Sequence, residues 1–255
     1  MGEALPNYRY LDSQRIIETV QALQGRIGRR FPESGLGKVV AELYRVATET
    51  VDRMRWIQRP HFPLRFAAAV LSVAIIGLLI LMLIHIPQFQ FNDYTNFIQA
   101  FESSISSVVF IGAAILFFLS WETRIKRRRA LKAVHELRAL AHIVDMHQLT
   151  KDPESYFAPS QTTVVKRRMT AFELNRYLDY CSECLALISK IAALYVQGFQ
   201  DQVLMDAVDD VEDLSAGFSR KIWQKITILE NLGRISNPSD AAKPTEGLRQ
   251  AENDD

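Results

Sequence analysis

HELRALAHIVDMHQ, residues 135–148, sets three histidines and an aspartate within one short run, and CSEC, residues 181–184, adds two thiols. These side chains ligate transition metals, so His135, His142, Asp145, Cys181 and Cys184 are the candidate ligands. A His beside an Asp is also the pairing of a general base with its orienting carboxylate. Helix geometry weighs against a metal. At about 100° per residue His135 and His142 align on one face, whereas His147 is turned about 140° away, so this helix alone cannot bring three ligands to one ion. Arg138 lies between the two aligned histidines and opposes a cation. A salt-bridged polar strip is the preferred reading, beside an apolar stripe of Ala130, Val134, Leu137, Ala141 and Val144. A metal site would need ligands from another segment or subunit. The lone CxxC lacks a second ligand pair at matching spacing, and Cys181 falls on the stripe Leu174, Leu178, Leu185, Ile188 and Ala192, where core packing is the simpler use.

Two further motifs invite chemistry. DDVED, residues 209–213, matches the DDxxD pattern with which all-helical isoprenoid synthases hold magnesium and diphosphate, but a second acidic motif is missing. The electrostatic reading is simpler. Asp201, Asp206, Asp209, Asp210, Glu212 and Asp213 occupy the first half of a helix, and Arg220, Lys221 and Lys225 the second, which complements the macrodipole. The other face of that helix, Leu204, Ala207, Val211, Leu214, Phe218, Ile222 and Leu229, is an apolar stripe and the candidate interaction face. SGLGKVV fails as a phosphate loop: Pro32 stands where the first Gly belongs and Val39 where a Ser or Thr should hold magnesium. No nucleophile elbow or HExxH motif is present. With no convergent set of catalytic groups, a non-enzymatic protein without a cofactor is expected.

The elements that carry these residues are helical. Ile16, Val20, Leu23 and Ile27 repeat at four-and-three spacing, as do Val39, Leu43, Val46 and, further on, Met54 and Ile57, with FPESGLG as the turn between the two runs. This predicts a helical hairpin over residues 1–60 whose second arm runs into the first apolar run. FAAAVLSVAIIGLLILMLI, residues 66–84, is uncharged and close to the roughly 20 apolar residues that cross a hydrocarbon core. ISSVVFIGAAILFFLSW, residues 105–121, is shorter but also uncharged, and ends in an interfacial Trp. Two transmembrane helices are therefore expected, at about 66–86 and 105–121 within residues 61–123. The second should continue as a helix to about Leu149, since neither Pro nor Gly interrupts the chain between Trp121 and Pro153. Helices from Met169 to about Val196 and from Asp201 to about Leu232 complete a helical domain over 124–235, and the Asn-, Ser- and Pro-rich stretch 236–255 should be disordered.

Charge sets the orientation. Arg53, Arg55, Arg59 and Arg65 precede the first apolar run, and Arg124, Lys126, Arg127, Arg128, Arg129 and Lys132 follow the second. No Lys or Arg lies between Phe66 and Thr123, which predicts cytoplasmic termini and a short periplasmic loop. Arg124, Lys126, Arg127, Arg128 and Arg129 are expected at headgroup level as an anchor to acidic membrane lipids. The formal net charge of +1 excludes a dedicated nucleic-acid binder, and two cysteines cannot form a disulfide framework.

The segments LRALAHIVDMHQLTKDPE, RYLDYCSECLALISKIAALYVQ and SRKIWQKITILENL resemble an uncharacterised family of bacterial two-span membrane proteins. The resemblance covers residues 137–232 and implies a bacterial inner-membrane setting. No activity and no functional residue follow from it. The expectation is an all-α protein with two transmembrane helices. A cytoplasmic helical bundle from both chain ends would serve self-association, coiled-coil-like pairing or docking of a cytoplasmic partner, and a homo-oligomer is expected. The alternative is an oligomeric pore in which Ser103, Ser104, Ser106 and Ser107 line an entrance and Glu102 forms a charged ring.

Overall fold

The computed structural model describes residues 9–59, 62–85, 94–151 and 169–236. All the regular structure among them is helical: α1 (Ser13–Arg30), α2 (Gly35–Gln58), α3 (Phe62–His85), α4 (Tyr94–Leu149), α5 (Ala171–Gly198) and α6 (Gln202–Ser236). Residues 1–8, 60–61, 86–93, 152–168 and 237–255, which include the start of the expected short periplasmic loop and nearly all of the tail expected to be disordered, lie outside the described residues.

The helix starts are capped by the residue types that suit them. Asp12 accepts from Gln14 N at 2.8 Å, and Ser34 Oγ accepts from Gly37 N at 3.1 Å. Thr170 and Glu173 form a reciprocal capping box at the head of α5. Asp201 accepts from Leu204 N at 3.2 Å and so heads α6.

The bundle is built around α5. This helix packs against α1, α2, α4 and α6, and it buries Leu174, Tyr177, Leu178, Cys181, Cys184, Leu185, Ile188, Ile191, Ala192 and Tyr195. A helix apolar on most of its circumference cannot face water and takes the middle of a bundle. α1 and α2 lie against it as a hairpin through Val20, Leu23, Ile27, Val40 and Leu43, all inaccessible to solvent except for traces. Ala130, Val134, Leu137, Ala141 and Val144 of α4 are fully buried, as their stripe requires. The bundle therefore draws on both ends of the chain. One polar pair is enclosed within it: Tyr195 Oη donates to Thr50 Oγ1 at 3.1 Å, and Thr50 Oγ1 passes its own hydrogen to Val46 O at 2.7 Å.

Two boundaries differ from expectation, and α4 begins earlier than the apolar run it contains. The second arm of the hairpin does not run unbroken into α3: Arg59 is extended (φ −71°, ψ 134°), because a residue before proline is driven out of the helical region and Pro60 follows. α4 begins at Tyr94, before the expected span at 105, since the polar residues of its first turns do not stop a helix. α6 continues to Ser236, past Leu232 and into the first residue of the expected tail.

Among the described residues no helix is long and apolar enough to cross a membrane. Many side chains of α3 and of the first half of α4, on which both expected spans fall, lie outside the described residues. Those that are described include large apolar groups turned outward. Phe66, Val73 and Ile84 on α3 and Val109, Phe110 and Leu116 on α4 each leave more than three-fifths of their surface open. α3 and α4 pack against each other, so these groups share one hairpin.

Candidate functional site

α2 ends beside the stretch of α4 that follows its apolar section. A cleft of about 440 Å³ opens between the two helices, with Trp56, Ile57 and Ala133 as apolar lining and Asp52, Arg53, Arg129, Lys132 and Glu136 as charged lining. The Arg129 guanidinium stacks over Trp56, 3.7 Å from the ring centroid, in cation–π contact. Arg53 bridges two helices, donating from Nη1 to Glu136 at 2.7 Å and from Nη2 to Glu49 at 2.8 Å. The described lining holds no Ser, Cys or His; its charged groups are two carboxylates and three cations, of which Arg53 and Glu136 are paired with each other.

A second groove, about 370 Å³, lies further back along α4, with Phe117, Trp121, Arg124, Ile125 and Arg128 as its described lining. Phe117 and Trp121 meet edge to face at 5.1 Å between centroids. Their spacing of four residues puts them on the helix face that continues to Arg124 and Arg128.

The basic cluster expected to anchor lipid is divided by its packing. Lys126 is buried and paired with Glu122 at 2.8 Å. Arg127 holds Asp201 Oδ2 through Nε at 2.9 Å and Nη2 at 2.7 Å, tying α4 to the N-cap of α6. Arg129 is committed to Trp56. Arg124 and Arg128 alone of the five are exposed without a described internal partner. The periodicity of this run could have shown the division. Positions 126, 130, 133, 134 and 137 share the buried side of α4, whereas 124 and 128 do not.

The candidate metal ligands are not brought together. His135 and His142 are exposed on α4, as a polar strip requires. Arg138 reaches Asp210 of α6 at 3.5 Å, and the His142 ring packs edge-on against Phe218 at 5.6 Å. Asp145 accepts from Gln148 Nε2 at 2.7 Å. Cys181 and Cys184 are free, fully enclosed thiols on α5, and burial pushes both up, Cys184 to about 12. Among the described residues no three His, Cys, Asp or Glu side chains converge. The acidic run of α6, Asp209, Asp210, Glu212 and Asp213, faces outward.

The expected interaction face is occupied within the chain. Leu204, Val211, Phe218 and Ile222 are buried and Leu214 is half-buried, since α6 lays this stripe on α5 and α4. The physical reason is economy of apolar surface: α5 is buried on nearly every side and needs α6 as a wall. Glu102, the pore candidate, is exposed on α4 beside Ser103 and Ser106, while the side chains of Ser104 and Ser107 lie outside the described residues.

Long-range polar links were not visible in the sequence. They include Arg127 to Asp201, Thr50 to Tyr195, and Lys225 Nζ of α6 donating to the carbonyl of Gln148 at 2.9 Å at the end of α4. A lysine at a helix C-terminus meets orphan carbonyls and the negative end of the dipole. The chain matches no known protein-family model, no curated protein and no solved structure.

Proposed function

We propose that the chain is a non-enzymatic membrane protein in which α3 and the first half of α4 form a two-span hairpin and the remaining helices form a cytoplasmic bundle for self-association or partner docking. The observation that carries this reading is the contrast in apolar exposure. The bundle encloses its stripes, while the hairpin of α3 and α4 turns Phe66, Val73, Ile84, Phe110 and Leu116 outward. Exposed apolar surface on that scale marks a site that meets lipid or another protein. Length agrees with lipid: α3 has 24 residues, about 36 Å at 1.5 Å per residue, against a hydrocarbon core of about 30 Å. The uncharged run 66–84 supports the same reading, as does the restriction of Lys and Arg to the flanks of the apolar segment.

Docking or self-association would have to use outward residues other than the α6 stripe. Trp223, Ile228, Val203 and Met205 of α6, Phe172 of α5, and Met146 and Leu149 of α4 are among the large apolar groups that the bundle leaves exposed. Reporter fusions at Asn7 and Asp255 should both read cytoplasmic and one at Asn92 periplasmic, and the full chain should stay with membranes through alkaline carbonate extraction. A periplasmic terminus, or release by carbonate, overturns the reading.

A further inference from the structure

We propose that the groove formed on α4 by Phe117, Trp121, Arg124, Ile125 and Arg128 seats the headgroup of an anionic phospholipid. The inference rests on the reading of α3 and the first half of α4 as membrane-embedded. Three features of the groove point to this occupant.

The first is charge. Arg124 and Arg128 are one helical turn apart, so their guanidinium groups reach the same side of α4. Their neighbours Lys126, Arg127 and Arg129 are occupied by Glu122, Asp201 and Trp56. The described lining of the groove includes no carboxylate, whereas the cleft between α2 and α4 contains Asp52 and Glu136. The second is geometry: guanidinium forks match phosphate oxygens two at a time, which a point-charge ammonium does not. The third is the change of character along the helix. Phe117 and Trp121 form the wall on the side where the exposed apolar residues Val109, Phe110 and Leu116 begin, and arginines close the other end. A phosphodiester at the arginines would leave its acyl chains running along the apolar side chains, with Trp121 at the boundary where an indole is most stable. A zwitterionic lipid would bring its own cation against the arginine pair. The groove should therefore select headgroups of net negative charge.

The test uses the purified full chain in detergent, titrated separately with phosphatidylglycerol, phosphatidylcholine and inorganic phosphate. Bound lipid is read by native mass spectrometry and protection by the thermal midpoint. Retention of phosphatidylglycerol should exceed that of phosphatidylcholine about tenfold, the difference that about 1.4 kcal/mol gives. R124Q/R128Q should abolish the preference, R124K/R128K should keep part of it, and R220Q/K221Q on exposed positions of α6 should leave it whole. Inorganic phosphate at millimolar concentration should neither bind nor protect, since it cannot use the aromatic wall. Equal retention of the two lipids, an undiminished preference in R124Q/R128Q, or phosphate acting as well as lipid would overturn the proposal. Carbonate extraction keeps the two readings apart: a chain that resists extraction yet shows no headgroup preference fails only here, and a chain that is extracted fails in its membrane reading as well.

Discussion

Cys181 and Cys184 show what burial does to a single side chain. Both thiols are enclosed in the centre of the bundle, where the thiolate has no water to solvate it, and burial raises both from the ordinary 9.0. The folded chain thus holds these protons more tightly than the unfolded chain does. Their contribution to stability is complete below pH 9.0 and is lost as pH rises from there towards about 12, where Cys184 titrates in the fold. Iodoacetamide at pH 8 should label neither thiol in the folded protein and both in urea, and the urea midpoint should fall on raising the pH above 9. Rapid labelling of the native protein would show that α5 is not enclosed. Gly35 makes a different point at the same scale. A Cβ there would run into the His147 ring, whose Nδ1 and Nε2 would both lie 3.0 Å away. A side chain at Gly35 would thus make the His147 ring move, a contact with a residue more than a hundred positions later that no local reading of the turn supplies.

Among the elements, α6 depends most on one residue. Asp201 is buried and does two things: one oxygen caps Leu204 N and the other receives Arg127. Asparagine caps a helix nearly as well as aspartate but carries no charge, so D201N should keep the cap and lose the ion pair, while D201A loses both. Stability by chemical denaturation should fall by about 1 kcal/mol for D201N and about 2–3 kcal/mol for D201A, discounted for the partly exposed arginine. Equal loss in the two variants would assign the whole effect to the ion pair. The helices themselves were legible because four-and-three spacing is a local property: Ile16, Val20, Leu23 and Ile27, or Ala130, Val134, Leu137, Ala141 and Val144, declare one face each, and all are buried. The stop at Arg59 was legible in principle from Pro60. The partners of those faces were not, because periodicity gives the side of a helix that is apolar and says nothing of which helix covers it.

At the scale of the molecule, that limit bears most on the stripe of α6. Leu204, Val211, Phe218 and Ile222 look like a free docking face until α5 is seen to need a cover. F218D should therefore unfold the bundle rather than merely detach a partner. Loss of the phenyl ring costs about 3–5 kcal/mol, and the desolvated carboxylate adds to it, offset in part by Lys221 Nζ, which lies 5.4 Å from the ring centroid. Loss of cooperative helical unfolding by circular dichroism, together with rapid proteolysis of the full chain, is the expected outcome. A variant with an intact melting transition and an altered oligomeric mass would restore the stripe as an interface. The candidate site was legible to the same degree. The basic cluster stood out by composition, but its division into cations committed to Glu122, Asp201 and Trp56 and cations left outside needed the packing of α2 and α6 against α4.

α4 runs through 56 residues, about 84 Å, and neither Gly nor Pro occurs between Gly112 and its end at Leu149. Beyond Gly112 it has no residue of the kinds that commonly kink a helix. Arg127 and Arg129 thus sit on the same uninterrupted stretch as the apolar residues, and a rotation of that stretch about its axis would turn one cation away from Asp201 and the other off Trp56 together.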